Sequence, residues 1–269
     1  MLNIFSYNVG MSPISCPRRF AAATLLATLS LLSVGGVAHA AAPDTGFAAC
    51  SHNFYQGQPP TVVSDGAPGA RRALCFSEFA VLHSGQTRTP LFVAQKLDPA
   101  QLNEIEPFSR SERFYEEARL PARERATLSS YKHSGFDRGH LAPAADMRTA
   151  EGTEQSFSLA NIVPQAPLHN RKAWKKIEQD TRKYVKRAKH PVYVITGAHF
   201  ERIEGNVIGS GFEKKVAVPS ALYKLVIDPA RNRAWAHWLE NHDDARPGAP
   251  ISIEALSQRT GVQFSRLSN

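Results

Sequence analysis

Residues 136–140 read FDRGH, and residues 161–189 read NIVPQAPLHNRKAWKKIEQDTRKYVKRAK. From residue 171 to 189, Trp174, Ile177, Thr181, Tyr184, Val185 and Ala188 fall on one stripe at helical spacing, and Pro191 follows. That pattern predicts an amphipathic helix with a defined end. Its other faces are cationic, with nine Lys and Arg in residues 170–190 against only Glu178 and Asp180. His140, Asn161, Asn170, Glu178 and Arg182 stand around or on this helix. A histidine, two amides, a carboxylate and an arginine are the residue types that hydrolysis of a phosphodiester needs: a base for water and fixed positive charge for the phosphate.

Short apolar runs surround this stretch. Ala73 to Leu82 and Pro90 to Leu97 read as strands joined by a turn at Ser84-Gly85-Gln86. Residues 98–130 are charged and read as loop with a helical turn or two. Val192 to Thr196 reads as a buried strand. Lys215 to Ile227 is strand-like but broken at Pro219, and Ala234 to Leu239 returns from turn chemistry at residues 228–232. Ser252 caps a last short helix that Gly261 stops. Strands outnumber helices and connections are short, so the expected fold is α+β, with a mainly antiparallel central sheet flanked by helices.

Arg18 and Arg19 precede an apolar run from Phe20 to about Val37, and Ala38-His39-Ala40 follows. Residues 1–40 therefore read as a signal peptide, which places the mature protein in the periplasm or outside the cell. No later segment is apolar and long enough to suggest a membrane span. About 229 residues remain, enough for one domain. Residues 41–72, rich in Gly, Pro, Ser and Asn, read as an extended arm, and residues 73–269 as a single domain. The formal charge of the chain is +8, or +6 without Arg18 and Arg19, and the segment 170–190 carries +7, so the remainder is near neutral. A single basic face suits a polyanion. Cys50 and Cys75 are the two cysteines beyond the leader, and in an exported protein they predict one disulfide; their spacing does not suggest zinc.

Asp137-Arg138-Gly139-His140, followed by Asn161-x-x-Pro164-Gln165, Asn170, Trp174 and Glu178, resembles the signature of the DNA/RNA non-specific endonuclease family, built around a ββα-metal motif. Phe114 and Leu120-Pro121 fit as well, and the resemblance spans most of residues 75–265. It implies a nuclease domain that cuts DNA and RNA, single- and double-stranded, to 5′-phosphate ends. It makes His140 the general base and Asn170 the direct ligand of Mg²⁺, with Mn²⁺ as the alternative ion. Glu178, eight residues on, would lie about 12 Å away in a regular helix, which suits contact with the ion through water. The ring of His140 needs a partner to orient it, either Asn161 or a backbone carbonyl. Arg110 best matches the upstream catalytic arginine, with Arg113 as rival. Arg138 is expected to hold the active-site loop and touch phosphate, and Arg182, Lys175 and Lys176 to bind substrate. Asp137 is expected to buttress the turn, Gly139 to allow close backbone approach, and Trp174 to sit in the core. The other readings compatible with these residues are a non-catalytic polyanion-binding protein on a nuclease scaffold and an exported antibacterial nuclease toxin.

Overall fold

A computed structural model describes residues 46–63, 70–103, 113–209, 215–265 and 267. The leader and Arg110 lie outside the described residues. In chain order the strands are β1 (Thr61–Val62), β2 (Arg71–Cys75), β3 (Ala80–Ser84), β4 (Thr89–Leu97), β5 (Asp137–His140), β6 (Ile162–Gln165), β7 (Val192–His199), β8 (Val207–Ile208), β9 (Val216–Ala217), β10 (Ala221–Asp228), β11 (Arg233–Glu240) and β12 (Val262–Gln263). The helices are α1 (Pro99–Asn103), α2 (Leu128–Tyr131), α3 (Ala150–Ser156), α4 (Lys175–Ala188) and α5 (Ile253–Thr260).

Six strands form the central sheet in the order β11-β10-β7-β4-β3-β2, every neighbour antiparallel. Strand alternation divides its side chains between two cores. On β10, Tyr223, Leu225 and Ile227 join Phe92, Ile195, Cys50, Phe54 and Leu256 on one side. Leu222 and Val226 face the other side, where Trp174 and Ile177 near the start of α4, and Val185 and Ala188 near its end, are packed. Because both faces are covered, β10 is buried along its whole length. The α4 stripe is as the spacing predicts: Ile177, Thr181, Val185 and Ala188 are buried, and Tyr184 is half-buried. Each buried aliphatic side chain contributes about 1.5–3 kcal/mol, which fixes the helix against the sheet. Ser252 Oγ accepts from Ala255 N, and Gly261 ends α5 at φ 66°, as expected.

Two expectations need correction. The run Ala73 to Leu82 is not one strand; it is β2 and β3 joined through Phe76–Phe79, with Phe76 N donating to Phe79 O. Phe76 and Phe79 are both buried and stack at 4.4 Å, so the turn keeps its apolar residues and no turn signal shows in the sequence. Glu78 at its tip is buried and accepts from Arg148 and from the backbone and hydroxyl of Thr149, at the start of α3. The described part of the stretch 41–72 (residues 46–63 and 70–72) is not an extended arm either. Residues 48–57 are 3₁₀ turns whose Cys50 and Phe54 enter the core, and β2 starts at Arg71. Cys50 and Cys75 form the expected disulfide, which ties these turns to β2.

Candidate active site

β5 and β6 pair antiparallel with His140 opposite Ile162 and Asp137 opposite Gln165. Alternation puts Arg138 and His140 on one face of β5, and Asp137 and Gly139 on the other. A Cβ at residue 139 would come within 2.2 Å of the buried Gln165 side chain, so only glycine lets β5 lie this close. The His140 ring sits against Phe114 at 5.5 Å and edge-on to Phe157 at 4.9 Å. Its Nε2 is buried with no hydrogen-bond partner among the described residues. Desolvation in this aromatic setting pushes the imidazole down to about 4, so the ring is neutral at neutral pH.

Asn161 does not orient that ring. Its side chain is fully buried; Oδ1 accepts from Ala142 N at 2.9 Å, and Nδ2 donates to Ala142 O at 2.9 Å and Ser156 O at 2.8 Å. The amide fastens the chain just after His140 to the end of α3. Aromatic packing holds the ring instead.

Asn170 lies in a single π-helical turn, His169–Trp174, that leads into α4. The expected helix from residue 171 thus starts as a wider turn, a feature often found at functional sites. Asn170 Nδ2 donates to Asp137 Oδ2 at 2.9 Å, which leaves its carbonyl oxygen as the free ligand atom. The same carboxylate pairs with Arg171 through two contacts of 2.8 and 2.6 Å. Asp137 therefore does more than buttress a turn: it joins β5 to the start of the helix. Asn241 and Asp243, which sequence reasoning did not single out, pin the preceding loop by accepting from Ala166 N at 2.9 Å and Leu168 N at 2.7 Å.

A cleft of about 740 Å³ is lined by His140, Pro143, Ala144, Ala145, Asn170, Arg171, Lys175, Glu178, Gln179 and Arg182. Lys175, Glu178, Gln179 and Arg182 share one face of α4 because their spacing follows the helical turn. Lys176 lies on the neighbouring exposed face, paired with Asp180 at 2.7 Å, and does not line the cleft. Arg182 lines it but is not free: its guanidinium pairs with the buried Asp146. Arg138 does not line it; its guanidinium lies over Phe114 at 5.1 Å and Tyr131 at 6.0 Å, a cation–π packing contact beside His140. Arg113, the rival of Arg110, is exposed. Trp174 is in the core, as expected.

Burial raises the Glu178 carboxyl to about 7, and Asp146 adds to the rise; the charges of Lys224 and Arg182 oppose it. Lys224 comes from β10, is fully buried, and donates to Thr196 Oγ1 at 2.6 Å. Desolvation lowers its own pKa. Neither Asp146 nor Lys224 belongs to the motif spacing, and no local signal in the sequence marks them. Among the described residues no cluster of three or more His, Cys, Asp or Glu could cage a metal. One oriented carboxamide oxygen with a carboxylate on the same cleft wall suits a hard divalent ion that keeps most of its waters, and not a soft or fully caged one.

Comparison with known proteins agrees with this geometry. The chain matches the DNA/RNA non-specific endonuclease family over residues 58–267. It is 30% identical over 229 residues to mitochondrial endonuclease G of Bos taurus, covering 77% of this chain and 74% of that one. It is 30% identical over 186 residues to nuclease C1 of Cunninghamella echinulata var. echinulata, covering 66% of this chain and 73% of that one. Among solved structures, one of an EndoG/EndoGI complex superposes with a TM-score of 0.64 at 24% identity, over 77% of this chain and 91% of that chain.

Proposed function

The chain belongs to the DNA/RNA non-specific endonuclease family, and from that premise we propose that it is an exported, Mg²⁺-dependent endonuclease that hydrolyses DNA and RNA to 5′-phosphate and 3′-hydroxyl ends. The observation that carries the reading is the meeting of His140, Asn170, Glu178 and Arg182 on one open cleft. Export rests on the first forty residues alone, since the Bos taurus relative is named as mitochondrial.

His140 takes the proton from the attacking water; desolvation keeps its ring neutral, in the form that can accept one. Asn170, held by Asp137, would offer its carbonyl oxygen to a bound Mg²⁺, and Glu178 would hold the ion through water. Bound Mg²⁺ would supply positive charge against the negative charge gathering on the phosphate. Lys175 adds positive charge on the cleft wall, and Arg182 lines it in a position fixed by Asp146. Phosphates carry no direct base information, so recognition through them gives weak sequence preference. A plasmid-nicking assay with titrated Mg²⁺, with and without chelator, tests the reading. Nicking that chelator abolishes and Mg²⁺ restores supports it; binding without nicking would leave a polyanion-binding protein.

A further inference from the structure

Beyond its last cleft residue, α4 continues for about two turns, and its cations do not stop there. Lys186 extends the row Lys175–Gln179–Arg182 at the same helical spacing, so it points along the line leaving the cleft. Lys183 and Arg187 lie beside that row, and Lys189 follows it at the helix end; all four are exposed. None of them makes a direct ion pair with a described acid: Asp180, the exposed acid of the helix, pairs with Lys176 at 2.7 Å and attracts Lys183 only from beyond contact. Arg182–Lys186, Lys183–Lys186 and Lys183–Arg187 are like charges at i,i+3 or i,i+4, which repel one another. The helix dipole favours cations in the last turn, which accounts for Lys186 and Arg187. It gives no reason for Lys183, which lies before that turn, or for the lack of any acid in direct contact with the set.

We infer that Lys183, Lys186, Arg187 and Lys189 form a second phosphate-binding strip, outside the cleft, that holds the flank of a long nucleic acid while the scissile phosphate sits at His140. The inference rests on the nuclease reading and adds where the substrate runs. The strip extends about 10 Å beyond Arg182 along the helix, about three phosphates of one strand. It belongs with a polynucleotide and not a mononucleotide, since a short ligand filling the cleft does not reach it.

The test compares wild type with the triple variant Lys183→Gln/Lys186→Gln/Arg187→Gln on two substrates, a long duplex and an oligonucleotide just long enough to fill the cleft. A double variant, Arg202→Gln/Arg259→Gln, removes exposed cations elsewhere. Expected for the triple variant is a KM on the long duplex raised about tenfold, with kcat/KM on the short substrate within about two-fold of wild type. Its slope of log K against log salt for the long duplex should flatten by about 2 to 3, close to one per lost cation. Equal losses on both lengths, no loss on the long one, or the same loss per charge in the double variant would overturn the strip. Metal-free binding of the long duplex by fluorescence anisotropy reads the strip without cleavage. A protein that binds through it but never cuts defeats the nuclease reading and leaves the strip standing.

Discussion

Replacing Asn161 with leucine, which fills similar space without polar atoms, separates a residue that holds the fold from one that acts on the His140 ring. The native amide makes three buried hydrogen bonds, to Ala142 N, Ala142 O and Ser156 O, at 2.9, 2.9 and 2.8 Å. Each is worth about 1 kcal/mol net, and buried backbone groups left unpaired add about 1–3 kcal/mol, so the loss is about 4 kcal/mol. At about 2–4 °C per kcal/mol for a domain of this size, Tm falls by about 8–16 °C. Asn161→Asp keeps the acceptor but faces two carbonyls with a carboxylate, so it is expected to be no better. Urea unfolding gives the free energy, and steady-state cleavage at a temperature where both variants stay folded gives kcat. Wild-type stability with kcat lost by two orders of magnitude or more would refute the reasoning and return Asn161 to the role of ring partner.

Asp137→Asn keeps the shape but removes the charge that orients Asn170 and Arg171; metal affinity is expected to fall about 10- to 100-fold, measured by calorimetric Mg²⁺ titration. Removing the disulfide with Cys50→Ala/Cys75→Ala is expected to cost about 3 kcal/mol in urea unfolding and to leave kcat unchanged, since the bridge packs on the sheet face away from α4. His83 and His169 are buried and His140 is desolvated, each with its pKa lowered to about 4, so the unfolded chain binds more protons than the folded one below about 6.5. Stability therefore falls as pH drops from about 6.5 toward 4; Glu178, raised to about 7, opposes this with a single proton. A unfolding midpoint that stays flat from pH 7 to 4 would contradict that burial.

The sequence carried the helix with its buried stripe and the β10–β11 hairpin plainly, because each depends on local spacing or turn chemistry, and the disulfide, because only two cysteines lie beyond the leader. The β2–β3 turn was hidden because Phe76 and Phe79 stay in the core, so the apolar run never breaks. The work of Asn161 was hidden for a different reason: an amide that satisfies backbone groups at residues 142 and 156 looks, in one dimension, like an amide available to a neighbouring ring. Asp146 and Lys224 set the charge around Arg182 and Glu178 from 36 residues away and from the far strand β10. Motif spacing does not report contacts of that kind. Lys175 and Lys176 show the same limit in small: both are basic, but one residue of helical rotation puts only the first on the cleft.

The most direct test of the account is the cleavage rate of purified wild type beside His140→Ala on DNA and on RNA with saturating Mg²⁺. Wild type should cut both polymers, and the variant should lose about 10²- to 10⁴-fold in kcat on each while keeping its Tm and its affinity for nucleic acid. Equal rates for the two proteins would contradict the assignment of the base, and with it the chemistry proposed for the cleft.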